Sequence, residues 1–158
     1  MIWDIFLNVV CPFMGTIAFA VLFSVPSKYF ISCGLTGLMG WLAYYFTEPY
    51  VSIAIASFFG ALVVVLISRI LTVRKKCPIT IFLVAGIFPL IPGSGVYYTA
   101  YYLVTNQLNQ AAFKGLESLK IAFAIVIGIV VIVSIPRQFF SIEYWVRKWK
   151  RKGEFKND

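Results

Sequence analysis

The chain has 158 residues, 61% of them hydrophobic and only 13% charged, with a mean hydropathy of +0.89 and a formal net charge of +8. So little polar material cannot cover the surface of a water-soluble fold, so the composition points to an integral membrane protein. The positive charge does not indicate nucleic acid, because the cations lie between hydrophobic runs and in the tail rather than over one folded face, which sets them against anionic lipid headgroups.

With about 20 apolar residues to a crossing, spans are predicted at 5–25, 29–47, 51–71, 78–105 and 116–135. These runs are continuous rather than alternating, which excludes a β-barrel. The predicted fold class is therefore an all-α integral membrane protein. It is a bundle of five transmembrane helices, the fourth broken at its centre, plus a C-terminal amphipathic interfacial helix. Residues 1–136 form the transmembrane domain and 137–158 a basic amphipathic cytoplasmic tail.

The first residues carry Asp4 and no basic segment, so a cleavable signal is not expected. Pro12 and Gly15 predict a slight kink in the first span. Gly34, Gly37 and Gly40 form a small-residue stripe in the second, and Ala56 with Gly60 and Ser57 with Ala61 repeat the theme at spacing four in the third. Such positions let helix backbones approach closely, so they are read as packing rather than as a substrate passage. Arg69 falls near the end of the third span, where its side chain is expected to reach the boundary.

The fourth span is interrupted by Pro89, Pro92, Gly93 and Gly95. Proline removes a backbone donor and clashes with the preceding turn, and glycine admits conformations that other residues resist. Loosened backbone survives at membrane depth only where protein or water satisfies it. Residues 106–120 read as a polar outer connection, a short surface helix, with a gating role as the sharper alternative. After the last span, Phe139, Ile142, Val146 and Trp149 recur at three- and four-residue steps opposite Glu143, Arg147, Lys150 and Arg151, the pattern of an interfacial helix. Trp3 and Trp145 suit the two aromatic belts.

Of the 14 lysines and arginines, twelve fall on one side of this five-span arrangement, and only Lys114 and Lys120 on the other. The positive-inside rule then puts the N-terminus outside and the C-terminus in the cytoplasm, in a multi-pass protein of the cell membrane.

Histidine is absent, and Cys11, Cys33 and Cys77 stand apart without metal-ligand spacing, so no cofactor or metal is expected and the cysteines read as packing residues. Away from the span ends no Asp, Glu, Lys or Arg is found either, which argues against a membrane enzyme and leaves no obvious coupling residue. What remains is uncharged and converges on the break, where Thr80 and Tyr102 accompany the candidate substrate-binding residues Pro89, Pro92, Gly93, Ser94, Gly95, Tyr97, Tyr98, Thr99 and Tyr101. Half-helix ends of this kind bind the charged groups of small substrates in transporters. The structural alternative is a kink that serves only packing.

The segment at 84–103, with Pro89, Pro92 and Gly93 and then Tyr97 four residues later, resembles the Pro-x-x-Pro-Gly motif of the threonine/serine exporter family. It is similar in particular to the short, separate C-terminal-half subunits of the split, two-gene members. The resemblance covers most of the chain in hydropathy and length and is specific at residue level in this segment. It implies export of small metabolites across the cytoplasmic membrane, threonine and serine in the fused members and dicarboxylates such as succinate in some split ones. It also implies a separate transmembrane partner subunit carrying the other half. Gly95 and the doubled Tyr97 and Tyr98 depart from the motif and leave the substrate open, as is self-association. The reading of another class is a non-transporting membrane assembly or scaffold subunit.

Overall fold

A computed structural model describes residues 2–135, with side chains from Phe6 onward. Six α-helices follow one another: α1 (Ile2–Leu22), α2 (Phe30–Thr47), α3 (Ile53–Lys75), α4 (Thr80–Ile87), α5 (Gly93–Val104) and α6 (Leu108–Val133), with single 3₁₀ turns at Ser27–Tyr29 and Phe88–Leu90. Among the described residues there is no strand. Helices α3 and α6 are each long and apolar enough to cross a membrane, and α4 with its 3₁₀ turn plus α5 form a third candidate crossing, bent by 54°. The predicted tail helix, with Trp145, lies outside the described residues.

Three chain reversals share one device. Ser24, Lys76 and Asn106 adopt left-handed φ values of 55°, 50° and 61°. The next residue then donates back five positions: Val25 to Ala20, Cys77 to Thr72 and Gln107 to Tyr102, at 3.0, 3.4 and 2.8 Å. This bond ties down a carbonyl that the helix end would otherwise leave without a partner. Pro26 and Pro78 follow two residues after the first two of these positions and prevent the helix from resuming.

Helix α3 is the centre of the packing, with its broadest contacts to α6 and α2. Its buried face, Ala56, Ser57, Gly60, Ala61, Val64, Val65, Ser68, Arg69 and Thr72, recurs at helical spacing. The predicted stripe on α2 is the counterpart: a Cβ on Gly40 would fall 2.2 Å from the Val64 side chain. On its other flank, a Cβ on Gly37 would fall 2.0 Å from Oγ1 of Thr16 in α1. Thr16 cannot retreat easily, since its hydroxyl donates to the Pro12 carbonyl at 2.6 Å. Gly15, by contrast, faces open space.

Contacts fix the directions of the helices. Gly37 on Thr16 and Trp41 on Asn8 set α2 antiparallel to α1, and Cys33 on Ile81 with Thr36 on Gly86 set α4 parallel to α2. Gly95 on Ser118 and Thr99 on Gly115 set α5 antiparallel to α6. One end of the bundle gathers the cations: Lys28 and Lys75 lie 4.9 and 5.5 Å from the centre of the Tyr29 ring.

Two expectations need correction. Arg69 does not end in open solvent; it is buried, and its Nη2 donates to the Val133 carbonyl in the last turn of α6. A guanidinium there pairs with a carbonyl that the helix leaves unbonded, and it complements the negative end of the helix dipole. The polar stretch predicted as a separate surface helix over 106–120 is mostly the first turns of α6, which runs unbroken from Leu108. No proline interrupts it, and Gly115 is held in the helix by its contact with Thr99.

Replacing Gly37 by Ala should cost about 1–3 kcal/mol through overpacking against Thr16, read as a lower melting temperature of the detergent-solubilised protein. Replacing Arg69 by Leu should cost about 2 kcal/mol, the scale of a hydrogen bond from a charged donor. Faster proteolysis near Val133 should accompany that loss, and unchanged cleavage would show that the bond does not secure the end of α6.

Candidate functional site

The break is a short sequence of defined turns. Phe88–Leu90 forms one 3₁₀ turn, closed by the Ile91 N–H on the Phe88 carbonyl at 3.2 Å. Ile91 is extended (φ −65°, ψ 132°), the conformation that a following proline imposes. Pro92 (φ −76°, ψ 60°) is then the centre of an inverse γ-turn, with the Gly93 N–H 2.7 Å from the Ile91 carbonyl. Helix α5 starts at once. The N–H groups of Ser94 and Gly95, in its first turn, have no helical carbonyl within reach.

The apolar side chains of the break are docked. Phe88 stacks on Phe19 with ring centres 4.1 Å apart and lies 5.2 Å from Phe23. Leu90 is buried with Ala61, Val64, Ile121 and Ile125, and a Cβ on Gly60 would sit 2.9 Å from its Cδ2. Glycine at position 60 therefore makes the socket into which the break is plugged.

Beyond the plug the bend carries α5 away from the rest. Helix α5 packs on α6, has no fully buried residue, and leaves a cavity of about 600 Å³ between the α2–α3 pair and the α5–α6 pair. The wall on the first side is Trp41, Tyr44, Ile53 and Ser57, and the floor is the break itself, Pro89 to Gly95. The far wall is Tyr98, Tyr102, Lys114, Glu117, Ser118 and Ile121. Trp41 is held by its indole N–H on Asn8 Oδ1 at 3.1 Å, and Ser118 by its hydroxyl on the Lys114 carbonyl at 2.8 Å.

Of the residues singled out from sequence, Pro89, Pro92, Gly93, Ser94, Gly95 and Tyr98 line this cavity, while Tyr97, Thr99 and Tyr101 do not. Helical period explains the division. Ser94, Tyr98 and Tyr102 follow one another at spacing four on the cavity side. Tyr97 and Tyr101, also four apart, turn to another face, 65% and 49% exposed. Thr99 donates to the Gly95 carbonyl at 2.7 Å and sets its methyl group against Gly115. Thr80 starts α4, below the break.

The wall residues on α6 were not anticipated. Lys114 and Glu117 form an ion pair at 2.8 Å, so charge does accompany the break. The signal was available in the sequence: positions 114, 117, 118 and 121 are one face of a helix. It was hidden by reading residues 106–120 as a surface helix separate from the last span. The cavity lies in the half of the bundle remote from the Lys28–Lys75 end, beside the first turns of α3 rather than at mid-height.

Residues 8–135 match the family model described as the threonine/serine exporter ThrE, a transporter family. No curated protein and no solved structure matches the chain. A match of that extent, over an all-helical chain with apolar helices and a proline–glycine break, shows that the protein belongs to the threonine/serine exporter family and is embedded in a membrane.

Proposed function

We propose that this chain is one subunit of a two-component secondary exporter that carries small amino acids, threonine and serine, or small carboxylates across the cytoplasmic membrane. The chain crosses five times, with α1, α2, α3, the bent α4–α5 pair and α6 as the crossings. The N-terminus is outside, and the C-terminus is in the cytoplasm with the basic 137–158 tail on the lipid headgroups. The alternating directions of the described helices support that count, and the gathering of Lys28 and Lys75 at one end supports the orientation.

The observation that carries the reading is the cavity built on the break. Its floor is formed by Pro89, Pro92, Gly93, Ser94 and Gly95, and the first turn of α5 presents backbone N–H groups and the positive end of a helix dipole beside it. A small polar substrate is held beside these groups, with Tyr98 and Tyr102 offering hydroxyls from the next two turns. Tyr97, Thr99 and Tyr101 shape the outside of α5 rather than the cavity. The exposed outer side of α5, with Val96, Tyr97 and Tyr101, is where the partner half packs.

Gly93 gives a clean test, because a Cβ there meets nothing within 4 Å, so a larger side chain enters free space instead of displacing a neighbour. Gly93→Leu should lower export of labelled threonine, serine or succinate at least tenfold while membrane levels of the protein stay normal. Gly95→Leu is the contrast: its Cβ would fall 2.2 Å from Ser118 Oγ, so the α5–α6 contact and the protein level should fall as well. Undiminished export by Gly93→Leu at normal abundance would remove the site from the break. If deletion of the gene changed no efflux but destabilised another membrane complex, the chain would be a scaffold subunit.

A further inference from the structure

We propose that Lys114 and Glu117 are the specificity-determining pair of this cavity: Lys114 takes the substrate carboxylate, Glu117 takes its ammonium group, and dicarboxylates are rejected. The inference rests on the exporter reading and goes beyond it by choosing between the two substrate classes.

The argument begins with charge. Among the described residues lining the cavity, Lys114 and Glu117 are the only lysine, arginine, aspartate or glutamate side chains. The cavity therefore carries one positive and one negative charge, separated by a single turn of α6 and joined at 2.8 Å. Both side chains remain partly open, 39% and 34% exposed, so they can exchange each other for a ligand without rearranging the fold.

A zwitterion matches this arrangement in number, sign and spacing. Its carboxylate and ammonium group lie on one carbon, so both can be met by two side chains one helical turn apart, each through a charge-assisted hydrogen bond. A dicarboxylate has no such fit. One carboxylate could use Lys114, but the second would face the carboxylate of Glu117, a juxtaposition of like charges with no further lining cation to offset it. The position of the pair reinforces the choice. Glu117 lines the same cavity as Pro92, Gly93, Ser94 and Gly95 of the break.

The test uses cells that express the whole chain from its own locus, loaded with labelled threonine or labelled succinate, with efflux and membrane abundance measured together. The wild-type protein should export threonine at least tenfold faster than succinate. Glu117→Gln should cut threonine export at least tenfold and shift the succinate-to-threonine ratio at least tenfold toward succinate, whereas Glu117→Asp, which keeps the charge, should retain the wild-type ratio. The reversed pair K114E/E117K, neutral again, should regain a preference for threonine over succinate, which guards against a Glu117→Gln chain that fails to accumulate. An unchanged ratio in Glu117→Gln, or a wild type that exports succinate in preference to threonine, overturns the pair's role and leaves the exporter reading standing. Export of neither compound by the wild type, with no change on deletion of the gene, would overturn the exporter reading itself.

Discussion

Every peptide group in the hydrocarbon layer needs a hydrogen-bond partner, and the break between α4 and α5 is where this chain comes nearest to leaving some without one. Two of its five residues are prolines, which have no N–H to satisfy. The 3₁₀ turn and the γ-turn use the N–H groups of Ile91 and Gly93 locally, over 3.2 and 2.7 Å. What these turns leave over is concentrated at the start of α5, and that is where the cavity lies. The same proline cluster that relieves the backbone requirement on one side thus exposes donors on the other. Docking of Phe88 on Phe19 and of Leu90 on Gly60 holds the arrangement in place, so the bend is a fixed feature of the packing.

The rest of the bundle supplies a rigid frame for this feature with very little polar material. Four buried hydroxyls are returned to their own helices, Thr16 to Pro12, Thr36 to Ser32, Ser57 to Ile53 and Ser68 to Val64, each to the carbonyl four residues back, whereas the buried Thr72 hydroxyl has no partner. Such bonds keep small side chains at helix contacts without introducing donors that would compete for partners elsewhere. Arg69 is the exception, a charge spent on joining α3 to the last turn of α6 rather than on a substrate. Against this frame α5 is an outlying arm. It is fixed to α6 through Gly95 on Ser118 and Gly115 on Thr99, and the 54° bend turns it off the axis of α4.

Much of this was legible in the sequence, because hydropathy and breakers report directly on what lipid demands of a backbone. The bounds of α2, the interruption after Phe88 and the small-residue contacts of Gly37, Gly40 and Gly60 follow from composition and helical spacing, whereas α3 runs to Lys75, past the predicted end at 71. Rotation about a helix axis was not legible. Which tyrosines of α5 face the cavity depends on the phase in which the helix leaves the γ-turn at Pro92, and no periodicity in Tyr97, Tyr98, Tyr101 and Tyr102 distinguishes the two pairs. The start of α6 was misplaced for a related reason. A hydropathy window registers the polar residues between Asn106 and Lys120 as an exit from the membrane, although a helix can continue through them with one face on a wet cavity. The burial of Arg69 was not legible because proximity to a span end suggests solvent, whereas its Val133 partner lies in another helix.

The location of Lys114 and Glu117 bears on how a site so poor in charge can still be selective. A fully buried ion pair loses the solvation of both groups and is then costly to separate, which would lock the cavity shut. A pair that keeps part of its solvation contributes little to stability, and separating it is correspondingly easy. Exposure of 39% and 34% puts this pair in the second class. The two charges are therefore held close enough to make the cavity neutral overall, yet loosely enough for a ligand carrying both signs to replace one partner for each. On the specificity proposed above, selectivity comes from the charge pattern of the ligand rather than from the strength of any one contact, so a cavity of about 600 Å³ need not fit its occupant closely to tell a zwitterion from a dianion.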